Sequence, residues 1–138
     1  MATTTLQNAR RALGRYLGYG ESMGKDGSAW TTTTNIPAST TVTSTELRDY
    51  GYDDFGEGGS GDDFFRNWWI IIHGTNNAQV VRRIKAYDAS SGQLTVTGTA
   101  LSAESGSTDF ELHRASPTFM RQALNTVRTT AYPDLHLP

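Results

Sequence analysis

A chain of 138 residues with net charge −2, no cysteine and 36% hydrophobic residues fits one domain with a modest core. That balance excludes a global pull towards nucleic acid or anionic membrane, and the missing cysteines exclude disulfides and thiolate metal sites. No apolar run approaches the roughly 18 residues that span a bilayer. Met1 to Thr5 lacks the basic-then-apolar layout of a signal peptide, so a soluble protein made inside a cell is expected.

The first predicted element is a helix over residues 5–17. Leu6, Ala9, Leu13 and Leu17 recur at spacings of three and four and share one stripe. Thr4 or Thr5 suits its start and Gly18 its end. Arg10, Arg11 and Arg15 make the remaining surface basic, either a solvated face or one that docks on an acidic or phosphate-bearing partner. Residues 19–27 then form a glycine-rich connector. Gly24-Lys25 is followed by Asp26, which breaks the Gly-Lys-Ser/Thr pattern of a phosphate loop.

Residues 29–114 read as a β domain. Threonine dominates its first part and suits exposed strands, predicted at Trp30 to Thr34 and Thr40 to Thr45, with a bend or sheet edge at Ile36-Pro37. The competing expectation is a disordered threonine-rich arm. Residues 46–63 are acidic, with Glu46, Asp49, Asp53, Asp54, Glu57, Asp62 and Asp63 against Arg48 alone. Four glycines at 56, 58, 59 and 61 make the second half a loop. Paired carboxylates there stay hydrated, which disfavours acid–base catalysis, and the spacing matches no EF-hand loop. A solvated or partner-facing acidic surface is expected, opposite in sign to the N-terminal helix.

The organising stretch follows. Trp68 to His73 is a strand apolar on both faces, with Trp68, Ile70 and Ile72 on one and Trp69, Ile71 and His73 on the other. Such a strand is buried on both sides, so its outer face needs cover from the terminal helices or another subunit. Turns at Gly74–Asn77 and Asp88–Gly92 separate it from strands at Gln79 to Tyr87 and Gln93 to Thr97, an antiparallel meander. Arg82, Arg83 and Lys85 read as a charged, protected strand surface. His73 has no second ligand at a fixed local offset and reads as a core or rim residue. Asp109 to Arg114 returns as a strand with Phe110 and Leu112 inward. Ser116-Pro117 opens a helix over 116–130, with Met120, Ala123, Leu124 and Val127 as its stripe. The tail, 131–138, keeps Leu135 and Leu137 without local partners. The expected fold is α+β: a small antiparallel β barrel or sandwich flanked by N-terminal and C-terminal helices.

The run DDFFRNWWIIIHGTNNAQVVRRIKAYDASSGQLTVTGTAL, then DFELHRASPTFMRQALNTV, resembles short structural proteins of tailed-bacteriophage particles. In those, a helix like ARRALGRYLG precedes a small β domain, and a segment like ELHRASP leads into a closing helix. The resemblance covers residues 6–132 in outline and rests on packing and turn signals. It implies a virion protein assembled in a bacterial cytoplasm: a neck or head–tail connector, or else capsid cement. It implies a homo-oligomer, a ring in the connector case, with portal, other neck or capsid proteins as partners. Packaged DNA would lie nearby without sequence-specific binding. Membrane contact and a cofactor are not expected.

Residue chemistry alone leaves two classes. One is an assembly protein working through interfaces, with Arg10, Arg11, Arg15, Asp53, Asp54, Glu57, Leu135 and Leu137 as candidate interface residues. The other is a glycan- or receptor-binding module of a tail or fibre, stacking ligand on exposed Trp30, Trp68 or Trp69. An enzyme is disfavoured, since no nucleophile–base pair or metal-ligand cluster stands out.

Overall fold

The computed structural model describes residues 9–10, 12–13, 30–48 and 61–131, with side chains to Val127. Six strands follow in order: β1 (Trp30–Thr31), β2 (Thr41–Thr43), β3 (Trp69–His73), β4 (Ala78–Asp88), β5 (Gln93–Val96) and β6 (Asp109–His113). A C-terminal helix, Pro117–Ala131, completes the chain's described part. The strands form one sheet in the order β1-β6-β3-β4-β5-β2, antiparallel throughout. It curls into a half-barrel, so the fold is broadly α+β with barrel-like character. Ala9, Arg10, Ala12 and Leu13 are helical; the rest of the expected N-terminal helix lies outside the described residues.

The curl originates in β4. Its first half pairs with β3, from His73↔Ala78 to Trp69↔Arg83, and its second half with β5, from Ile84↔Val96 to Asp88↔Gln93. The register shifts between Ile84 and Ala86, and such an irregularity bends a strand and tightens its twist. Ile70, Ile72, Ile84, Leu94, Phe110 and Leu112 converge inside, joined by Trp30, Leu47 and Phe65. Phe65 meets both Trp68 and Tyr87 edge-on at 4.9 Å. That T-shaped geometry suits aromatic quadrupoles and adds to the burial energy.

Curling brings the sheet's edges together. Thr33 N–H donates to Thr43 O at 3.2 Å, and Ser44 Oγ donates to Thr31 O at 2.6 Å. Glu46 accepts from Thr31 N at 3.2 Å and from Thr31 Oγ1 at 3.0 Å. The threonine-rich stretch is therefore bonded into the barrel and is not a free arm. Its strands, Trp30–Thr31 and Thr41–Thr43, are shorter than expected.

The flanks of the acidic segment depart from expectation in the same way. Glu46 sits in the 3-10 turn Thr45–Leu47 at the seam. Asp63 accepts from Tyr87 N at 3.1 Å, and Asp62 from Ala89 N at 2.9 Å. These carboxylates fasten loops to β4, whereas Asp53, Asp54 and Glu57 lie outside the described residues.

Gly92 marks how closely the hairpin after β4 meets the seam. Its φ is +72°, and a Cβ there would collide with the Ser44 carbonyl oxygen. Gly92→Ala should therefore destabilise by more than the roughly 1–2 kcal/mol of left-handed alanine alone. Urea denaturation measures it; a smaller loss would mean the seam yields.

Candidate functional site

Position 111 concentrates the molecule's polar chemistry. Phe110 and Leu112 of β6 face the core, so by strand alternation Glu111 and His113 face outward. β6 pairs with β3 in the register Ile71↔Glu111 and Trp69↔His113, which brings His73 to the same outer face. Glu111 is nevertheless fully buried, because Arg10 lies over it at 6% exposure. Arg10 Nη2 donates to Oε2 at 2.8 Å and Arg10 Nε to Oε1 at 3.2 Å, a two-pronged pair. His113 Nε2 donates to Oε1 at 3.0 Å, and His73 Nε2 donates to Oε2.

Burial alone pushes this carboxyl's pKa up, but the bonds from His113, Arg10 and His73 and the charge of Arg10 outweigh it, holding it at about 2. A carboxylate so ionised and surrounded by donors is a poor base and cannot serve as an acid near neutrality. Its arrangement suits holding three segments together. Against an ordinary value of 4.5, the unfolded chain takes up the proton first as pH falls. The stabilisation is therefore whole above about pH 4.5 and is lost as pH falls from there to about 2, up to about 3 kcal/mol. Glu111→Gln should flatten that acid limb in melting temperatures measured against pH; an unchanged limb would refute it.

A second carboxylate closes one end of the barrel. Glu104 accepts from Asn77 Nδ2 at 3.0 Å, from Asn76 N at 3.0 Å and from Thr75 N. Its pKa lies below the usual value, chiefly through the Asn77 side-chain bond. Asn77 also bonds Ser102 in both directions, and a backbone bridge joins Glu104 to Ile36. Gly74 is needed here, since a Cβ would collide with the Glu104 carboxylate. Beside this turn lies a polar cleft of about 210 Å³, lined among others by His73, Thr108 and Asp109.

Arg10 is the one candidate interface residue within the described set, and the structure commits it to Glu111 inside the chain. Arg11, Arg15, Asp53, Asp54, Glu57, Leu135 and Leu137 lie outside the described residues. Trp30 is fully buried and Trp68 is 7% exposed, so neither presents the open face expected for stacking a ligand. Trp69 is half-buried, with the Arg83 guanidinium 5.8 Å from its ring centre. Of the basic run, Arg82 stands opposite Ile70 and so points to the core side, reaching Thr99 at 3.4 Å, while Arg83 and Lys85 are exposed.

His73 sits half-buried at the end of β3, the core or rim place expected of it, and shares Glu111 with His113. The readable signal was Glu111 and His113 two residues apart on the outward face of a strand whose inward face is Phe110 and Leu112. Among the described residues no group of three or more His, Asp and Glu is placed to hold a metal ion, and no helix is long and apolar enough to cross a membrane. The chain matches no family model, no curated protein and no solved structure in comparisons with known proteins.

Proposed function

We propose that this chain is a structural component of a tailed-bacteriophage virion, a neck or head–tail connector subunit that acts by contact and not by chemistry. The observation that carries the reading is the resemblance of residues 62–101 and 109–127 to such proteins. The use made of Glu111 supports it. The richest gathering of titratable groups among the described residues is sealed beneath Arg10 and joins β3, β6 and the N-terminal segment. In this reading the helix over 5–17 and the C-terminal helix flank the barrel, and the subunits form a ring touching portal and other neck proteins. Capsid cement is the second reading; the extended threonine-rich arm that would suit it is instead bonded into the barrel. Copy number separates them. Quantitative gel staining of purified virions should show a small complement at one vertex, and hundreds of copies per particle would overturn the connector in favour of cement.

A further inference from the structure

The guanidinium of Arg10 has two edges that can donate as a fork, and Glu111 uses only one. Nε and Nη2 donate to the carboxylate at 3.2 and 2.8 Å. Nη1 and the outer N–H of Nη2 have no acceptor among the described residues. Spare donors on so deeply buried a side chain call for an explanation. Arg10 is 7% exposed, and Nη1 is not sealed from solvent. It opens onto a cleft of about 230 Å³ between the outer face of the sheet and the start of the C-terminal helix.

Among the described residues lining that cleft, every polar side chain can donate and none is a carboxylate. Arg121 stands one turn along the helix from Pro117 and Thr118, so the three share a face. It is exposed and has no ion pair among the described residues. Thr118 adds its hydroxyl, and Gln79 adds its amide from β4. Met120 N–H bonds Ser116 O at 2.9 Å, which leaves the N–H groups of Thr118 and Phe119 with no acceptor in the helix. They point out of its positive end, and its first turn holds no acidic residue.

We infer that this cleft binds a terminal phosphate group, as inorganic phosphate or a phosphate monoester. The free edge of Arg10 takes two oxygens as a fork, and Thr118 with the helix end takes the third. Glu111 fixes the plane of the Arg10 guanidinium and cancels its charge, so the net attraction comes from Arg121 and the helix. A carboxylate, with two oxygens in one plane, would leave one of these sides unused. A phosphodiester has two free oxygens and two ester arms that must leave the cleft. The assignment stands apart from the virion reading, since it needs only this chain.

Titrating the isotope-labelled chain with sodium phosphate at constant ionic strength should shift the NMR amide signals of Thr118 and Phe119 saturably, and chloride should not. Arg121→Gln should weaken that binding at least about tenfold, through loss of a charge-assisted contact. Its melting temperature without phosphate should be unchanged, because the side chain is exposed. No saturable shift, or equal affinity in Arg121→Gln and wild type, would overturn the proposal. Acetate binding as tightly as phosphate would also overturn it, in favour of a carboxylate. So would a short DNA duplex that shifts the same amides where phosphate does not, which would give the cleft to a phosphodiester backbone.

Discussion

Arg10→Met is expected to lower the unfolding free energy by about 3 kcal/mol, the low end for removing one partner of a buried ion pair. Glu111 is fully buried, so losing the guanidinium strands a carboxylate that water cannot reach. The loss stays at the low end because His73 and His113 still donate to it. Arg10→Met/Glu111→Leu should recover part of the loss, because an apolar pair removes the desolvation penalty along with the attraction. Urea unfolding of the three proteins tests this. Equal stability of Arg10→Met and wild type would show that the pair contributes nothing.

Ile70→Asp should cost more, at least about 4 kcal/mol, and leave the chain unfolded or expanded at room temperature. Ile70 is fully buried on the core side of the strand shared by β4 and β6, with Leu112 and Arg82 as its cross-strand neighbours. An ionised carboxylate there has no solvent, and protonating it still leaves a polar group in the core beside lost packing. Ile72→Asp should behave alike. Asp53→Asn and Glu57→Gln, in the glycine-rich acidic stretch of the sequence, serve as controls with unchanged melting temperature. A native-like circular dichroism melt for Ile70→Asp would end this account of the core.

The meander was legible because its information is local. Strand periodicity flanked by Gly74–Asn77 and Asp88–Gly92 predicts strands over 68–73, 79–87 and 93–97, and β3, β4 and β5 fall within one residue of those bounds at each end. The helix opened by Ser116-Pro117 was equally plain. The pairing of β3 with β6 was not, because nothing near either strand encodes a partner some forty residues away. Without that pairing His73 looks solitary and Arg10 looks like surface charge. The seam was hidden for a related reason: Ser44 reads as part of an exposed strand and Glu46 as part of an acidic surface, although their oxygens complete the hydrogen bonding of Thr31.

That seam bears on whether the sheet can grow by strand addition. An open sheet edge is a template on which further strands can be laid without limit, and that is the route into fibrils. Here Thr33 N–H bonds Thr43 O across the seam, and the side chains of Ser44 and Glu46 satisfy the backbone of Thr31. Backbone recruitment at those positions is thereby blocked. Whatever meets the barrel there does so through the shape and charge of side chains and not by adding a strand.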